Sequence, residues 1–135
     1  MVPDLIEYVN NNKDKVGLYY YHYPLIQLHP AALTLSKVMI VASKDGIKDI
    51  ESTIYKEDLS KYFDSKEKDE KKILDGFNKL FKTDISLDQV QKPTINEELL
   101  KDKTMGNAVL VGSTPTIYIN GKKDKTQIKY KTLGK

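Results

Sequence analysis

The sequence predicts an α/β fold, in which a helical block sits beside a small sheet that carries an antiparallel hairpin on one edge. Three observations predict it. Residues 16–23, "VGLYYYHY", are the strongest strand signal in the chain: rich in β-branched and aromatic residues, with no clean alternation of polar positions, as suits a strand covered on both faces. Apolar residues at Ile73, Leu74, Phe77, Leu80 and Phe81 form a one-sided stripe at helical spacing. Near the end, "IYI" at 117–119 is followed by Asn120-Gly121, the two-residue signal of a hairpin turn.

The elements follow in order. Residues 3–13 read as a helix: Pro3 suits a first turn, Asp4 and Glu7 favour its N-terminal dipole, and Leu5, Ile6, Tyr8 and Val9 form its buried stripe. The strand at 16–23 comes next, and Pro24 ends it. Pro24 and Pro30 keep "PLIQLHP" a loop. Residues 31–43 read as an apolar helix with Leu33, Leu35, Val38, Met39 and Val41 as core. Asp45-Gly46 breaks it, and shorter helical pieces follow at 47–55 and 59–63. "DSKEKDEKK" reads as the solvated first turns of the striped helix that runs to Phe81. Short helices are expected at 85–91 and at 94–103, the latter behind Pro93. The hairpin closes with 126–132, where Ile128 and Tyr130 share a face.

Composition narrows the function. The 135 residues make one domain with room for a core. No apolar run is long enough to span a membrane, and "MVPDLIEYVNNN" lacks the basic and apolar regions of a signal peptide. The net charge is +3, and all 22 basic residues are lysine. Lysine lacks the bidentate fork that reads guanine or grips phosphate, so no nucleic-acid partner is expected. There is no cysteine, which excludes disulfides, thiolate catalysis and cysteine metal sites in this chain. No cofactor is expected.

Two stretches carry a family resemblance. "STPTIYING" (113–121) resembles the Thr-Pro-Thr loop of thioredoxin-fold proteins of the DsbA, DsbC and DsbG type. "YPLIQLHPAA" (23–32) resembles the segment that introduces that family's inserted helical domain. The resemblance implies a thioredoxin-like fold with core parts at 1–25 and 107–135 and a helical insertion at about 31–103. It implies a thiol:disulfide interchange protein, oxidase or isomerase, acting on extended or unfolded exported proteins in a bacterial periplasm or its equivalent. It also implies that Pro115 is cis and that Ser113, Thr114 and Pro115 line the substrate groove, the free backbone of Ser113 and Thr114 pairing with an extended peptide. A trans Pro115 that only starts an edge strand is the alternative.

The chain departs from that family at its front, where the first strand and the Cys-x-x-Cys would stand. It resembles a truncated member, and with no cysteine it is expected to be redox-inert. The two strands flanking the missing one would then present unpaired backbone groups, and rearranged pairing within the chain or a strand from a second copy in a homodimer is expected to close the gap. The rival reading is a non-catalytic peptide-binding or chaperone module. His22 and His29, the two histidines, are expected to be structural, His22 hydrogen-bonded near the core and His29 organising its loop. Tyr19, Tyr20, Tyr21 and Tyr23 are expected to fill a sheet rather than stack bases.

Overall fold

A computed structural model describes residues 2–19, 21–22, 30–64, 66–108, 118–119, 122–123 and 129–133. Among these described residues lie the α-helices α1 (Val2–Asn11), α2 (Ala31–Lys44), α3 (Ile50–Lys56), α4 (Glu70–Phe81), α5 (Leu87–Val90) and α6 (Pro93–Ala108). Short 3₁₀ turns lie at Leu59–Lys61 and Lys129–Thr132, and two-residue strands β1 (Tyr118–Ile119) and β2 (Lys122–Lys123) pair antiparallel.

Helix α2 is the axis of the molecule. Val38, Met39, Ile40, Val41 and Ala42 are five consecutive buried residues, so this stretch is covered on every side, as an apolar helix inside a bundle must be. Its neighbours are α3, α4, α5 and α6. One apolar cluster joins the α2 residues to Ile50 and Ile54 of α3, Leu74 and Phe77 of α4, Ile85, Val90 of α5, and Ile95 and Leu99 of α6. Each large aliphatic or aromatic side chain of this set contributes roughly 1.5–3 kcal/mol by leaving water. Phe77 lies at the centre, fully buried, with its ring stacked on Phe81 at 4.3 Å.

Local chemistry sets the helix ends. Asp69 caps α4 through its carboxylate, which accepts from the Lys71 N–H at 3.0 Å. Glu70, Lys71 and Lys72 of the charge run open the helix as expected, while the described residues up to Asp69 precede it, where carboxylates close turns: Asp64 accepts from the Lys66 N–H and Glu67 from the Asp69 N–H. Ser86 and Gln89 form a reciprocal capping box on α5. Helix α6 runs to Ala108, five residues beyond the expected end at 103.

The expected α/β fold is corrected. The described residues build helices and one two-residue ladder, whereas a thioredoxin-like fold needs a central sheet. Residues 16–19, 21 and 22 join no ladder, and Tyr19 and Tyr21 are 84% and 56% exposed, so this is not a strand covered on both faces. The physical reason is context. β-propensity measures the fit of a side chain to a pleated, half-buried surface, and a strand without a paired neighbour has no such surface. Residues 118–119 pair antiparallel with Lys122 and Lys123 across a two-residue gap, at the position where the hairpin turn is expected, a much shorter loop closure than pairing with residues about a hundred positions away. Of the hairpin's second strand expected at 126–132, residues 126–128 lie outside the described residues and 129–132 form a 3₁₀ turn, which corrects that part; the described partner of β1 is β2. That turn lies against α1, where the Tyr8 hydroxyl donates to the Lys131 carbonyl at 3.0 Å.

Candidate functional site

Ser113, Thr114 and Pro115, the expected substrate loop, lie outside the described residues, as do His29 and Asn120-Gly121. The described residues offer two other places where function could reside.

The first is the segment after α1. The Asn12 carbonyl accepts from the N–H groups of Lys15 and Val16, both at 2.9 Å, while the Asn12 amide donates back to the Tyr8 carbonyl at 2.8 Å. These bonds close the helix and send the chain away from its axis. From there exposure alternates: Val16, Leu18 and His22 are half-buried, and Gly17, Tyr19 and Tyr21 are exposed. A period of two is the signature of extended backbone resting one face on a surface. The far end is tied down where the His22 N–H donates to Asp102 Oδ2 on α6 at 2.8 Å.

Around His22 the charge is mostly negative. Asp102 and Glu98 of α6 and Glu51 of α3 all act on its imidazole. Burial outweighs them and holds His22 below its ordinary pKa, so the ring is neutral at pH 7. The same environment raises the Tyr55 phenol, first by burial and then through Glu51. Glu98 is split between two roles: Oε1 stands 3.3 Å from Lys44 Nζ at the end of α2, and Oε2 is buried with no hydrogen-bond partner among the described residues. His22 is expected to be a hydrogen-bonded structural residue near the core; it is half-buried, and its bond to Asp102 is made by its backbone N–H. Neither Asp102 nor Glu98 carries a sequence signal for this contact, because both sit some eighty positions away from His22 on a helix with no catalytic motif.

The second place is an open groove of about 390 Å³ between the Tyr62-Phe63 stretch and α4. Glu67, Lys72, Asp75 and Lys79 line it with two positive and two negative charges. Lys72 stands 4.0 Å from Glu67, and Asp75 takes a hydrogen bond from Lys71 at 2.6 Å. The balanced charges select neither an anion nor a cation, and the groove holds no nucleophile with a base beside it.

Among the described residues no group of three or more His, Asp or Glu side chains is arranged to hold a metal ion. No described helix is long and apolar enough to cross a membrane. No family model, no curated protein and no solved structure matches the chain.

Proposed function

We propose that this chain is a non-catalytic binding module that takes an extended polypeptide alongside residues 16–22. The observation that carries the reading is the alternation of the described residues of that segment: Val16, Leu18 and His22 are half-buried, Tyr19 and Tyr21 face water, and the backbone joins no ladder among the described residues. A backbone so presented can pair with a second extended chain. Main-chain bonds then supply affinity that tolerates many sequences, and the exposed rings supply apolar area. Tyrosine suits this role because it offers a large rigid surface at low entropic cost.

The resemblance of "STPTIYING" and "YPLIQLHPAA" supports the same substrate class, an extended or unfolded exported protein. The absence of cysteine separates this reading from thiol:disulfide interchange: no side chain here can form the mixed disulfide on which that reaction depends. The purified protein should therefore show no catalysed exchange with a protein disulfide.

The test is fluorescence anisotropy with a labelled, reduced and alkylated unfolded protein, repeated with Tyr19→Ser/Tyr21→Ser. Loss of two central aromatic anchors should weaken binding about tenfold or more. Unchanged affinity in the double variant, or no binding by the parent chain, would remove this reading. Sedimentation of the chain alone distinguishes a second copy as occupant: self-association abolished by the same two substitutions would make the partner a homodimer mate.

A further inference from the structure

We propose that Gly17 is the notch that makes the binding segment selective: an extended partner chain pairs along the outward backbone edge of Gly17 and Tyr19 and lays an aromatic side chain over Gly17. The proposal rests on the reading of residues 16–22 as the binding segment and names the class of polypeptide that segment takes.

Three features of the described residues carry it. The first is which backbone edge is open. Along an extended chain, successive residues turn their N–H and C=O groups to opposite edges. The Val16 N–H is taken by the Asn12 carbonyl at 2.9 Å, and the His22 N–H by Asp102 Oδ2 at 2.8 Å. Both bonds come from half-buried residues and stay within the chain. The N–H groups of Gly17 and Tyr19 have no partner among the described residues. The second feature is Gly17 itself. A Cβ added there would meet nothing within 4 Å, and its φ lies outside the left-handed region. Neither a turn nor crowding from the described chain requires glycine here, although glycine costs an extended segment stability through backbone entropy. A glycine so placed lets a second backbone or its side chain come close. The third is the neighbour. Tyr19 is exposed like Gly17 and stands two residues on, about 6–7 Å away at the rise of extended chain. At that separation aromatic rings meet edge to face. A partner's ring lying on the bare Gly17 backbone would therefore contact the Tyr19 ring, in the way that aromatic side chains cover glycines across paired strands.

The size of the patch selects the occupant. Its outward described residues are Gly17, Tyr19 and Tyr21, whereas a stable dimer interface takes roughly 20–30 residues a side. A second copy of this chain needs more surface than that. A short stretch of unfolded polypeptide exposing a phenylalanine, tyrosine or tryptophan does not.

The test uses the full chain and two short, blocked threonine–lysine peptides that differ only at the centre, phenylalanine in one and alanine in the other. Anisotropy of the labelled peptides gives affinity. Proton NMR of the protein carrying carbon-labelled glycine reads the Gly17 α-protons, which Gly17→Ala identifies by their loss. The phenylalanine peptide should bind about fivefold more tightly than the alanine peptide, and its ring current should move the Gly17 signal upfield. Gly17→Glu, whose Cβ has open space to enter, should remove the preference and leave Tm unchanged. Binding of the phenylalanine peptide with the Gly17 signal unmoved would overturn the notch, and so would a preference that survives in Gly17→Glu. Equal binding of the two peptides, or binding of alkylated unfolded protein without binding of the phenylalanine peptide, would remove the notch and leave the binding reading standing. No binding of either peptide or of the unfolded protein would remove both.

Discussion

Single residues hold the connections of this bundle, and Asn78 shows how. Its side chain reaches past the end of α4 to three groups. Its amide donates to the Ile85 carbonyl at 3.0 Å, while its oxygen accepts from the Ile85 N–H at 3.1 Å and the Thr83 hydroxyl at 2.8 Å. Both donor and acceptor sides of the amide are in use, which fixes its orientation and seats Ile85 in the core. Asn78→Ala should cost about 2–3 kcal/mol, since part-buried groups lose their partners together. Asn78→Asp should cost a similar amount, because a carboxylate cannot donate to the Ile85 carbonyl. Chemical denaturation with an unchanged m-value checks both. Lys82, four residues on, ends α4 in the left-handed region at φ 55°, a place that glycine fills at lower cost. Lys82→Gly should therefore stabilise the protein by about 0.5–1 kcal/mol, readable as a rise in Tm. Neither role can be read from the sequence. "DGFNKLFKTDIS" shows the stripe but says nothing about which way an asparagine points or which lysine turns left-handed.

At the scale of elements, legibility followed period. The 3.6-residue stripe of α4 is plain in the sequence, and Ile73, Leu74 and Phe77 are buried as the spacing predicts. The same holds for Leu5 and Ile6 on α1. Residues 16–23 went wrong because a β-rich run specifies an extended chain without specifying a partner, and the partner lies in tertiary context that no local pattern encodes. The substrate-loop expectation for Ser113, Thr114 and Pro115 lies outside the described residues, and the cluster of His22, Glu51, Glu98 and Asp102 was invisible because three separate elements supply it. Gly76 was missed for a related reason. It sits on the buried face of α4 with the Tyr62 carbonyl so close that an added Cβ would lie 2.6 Å from that oxygen and 3.0 Å from the Phe63 ring. Helix propensity alone would make Gly76→Ala favourable by about 1 kcal/mol. The backbone of Tyr62 cannot yield as a flexible side chain could, so overpacking of about 1–3 kcal/mol should offset or exceed that gain. The expected outcome is a net loss of stability with α4 helicity retained by circular dichroism. A variant more stable than the parent would show that the Tyr62 stretch moves freely.

For the molecule as a whole, the core divides unequally. Every residue of the main apolar cluster lies between Val38 and Leu99. Leu5 and Ile6 are buried outside that cluster, on a helix whose principal neighbour is α3. The 3₁₀ turn at Lys129–Thr132 reaches the described bundle through α1. The architecture is thus a helical centre with α1 and the C-terminal turn attached to one side, and beyond α1 the chain is tied to α6 by the His22 N–H on Asp102. Such a division predicts that residues 30–108 fold without the rest. A chain of roughly 80 residues is near the lower size at which one core suffices, and losing the burial of two side chains on α1 removes about 3–6 kcal/mol as an upper estimate. The fragment should therefore keep a cooperative thermal transition with helical circular dichroism, at a Tm below that of the full chain. A fragment that melts without a sigmoidal transition would mean that α1 belongs to the centre, and that the segment following it is set by the core itself. A fragment that melts cooperatively would leave α1, residues 16–22 and the terminal turn as a separable layer, free to change its docking without unfolding the helices beneath.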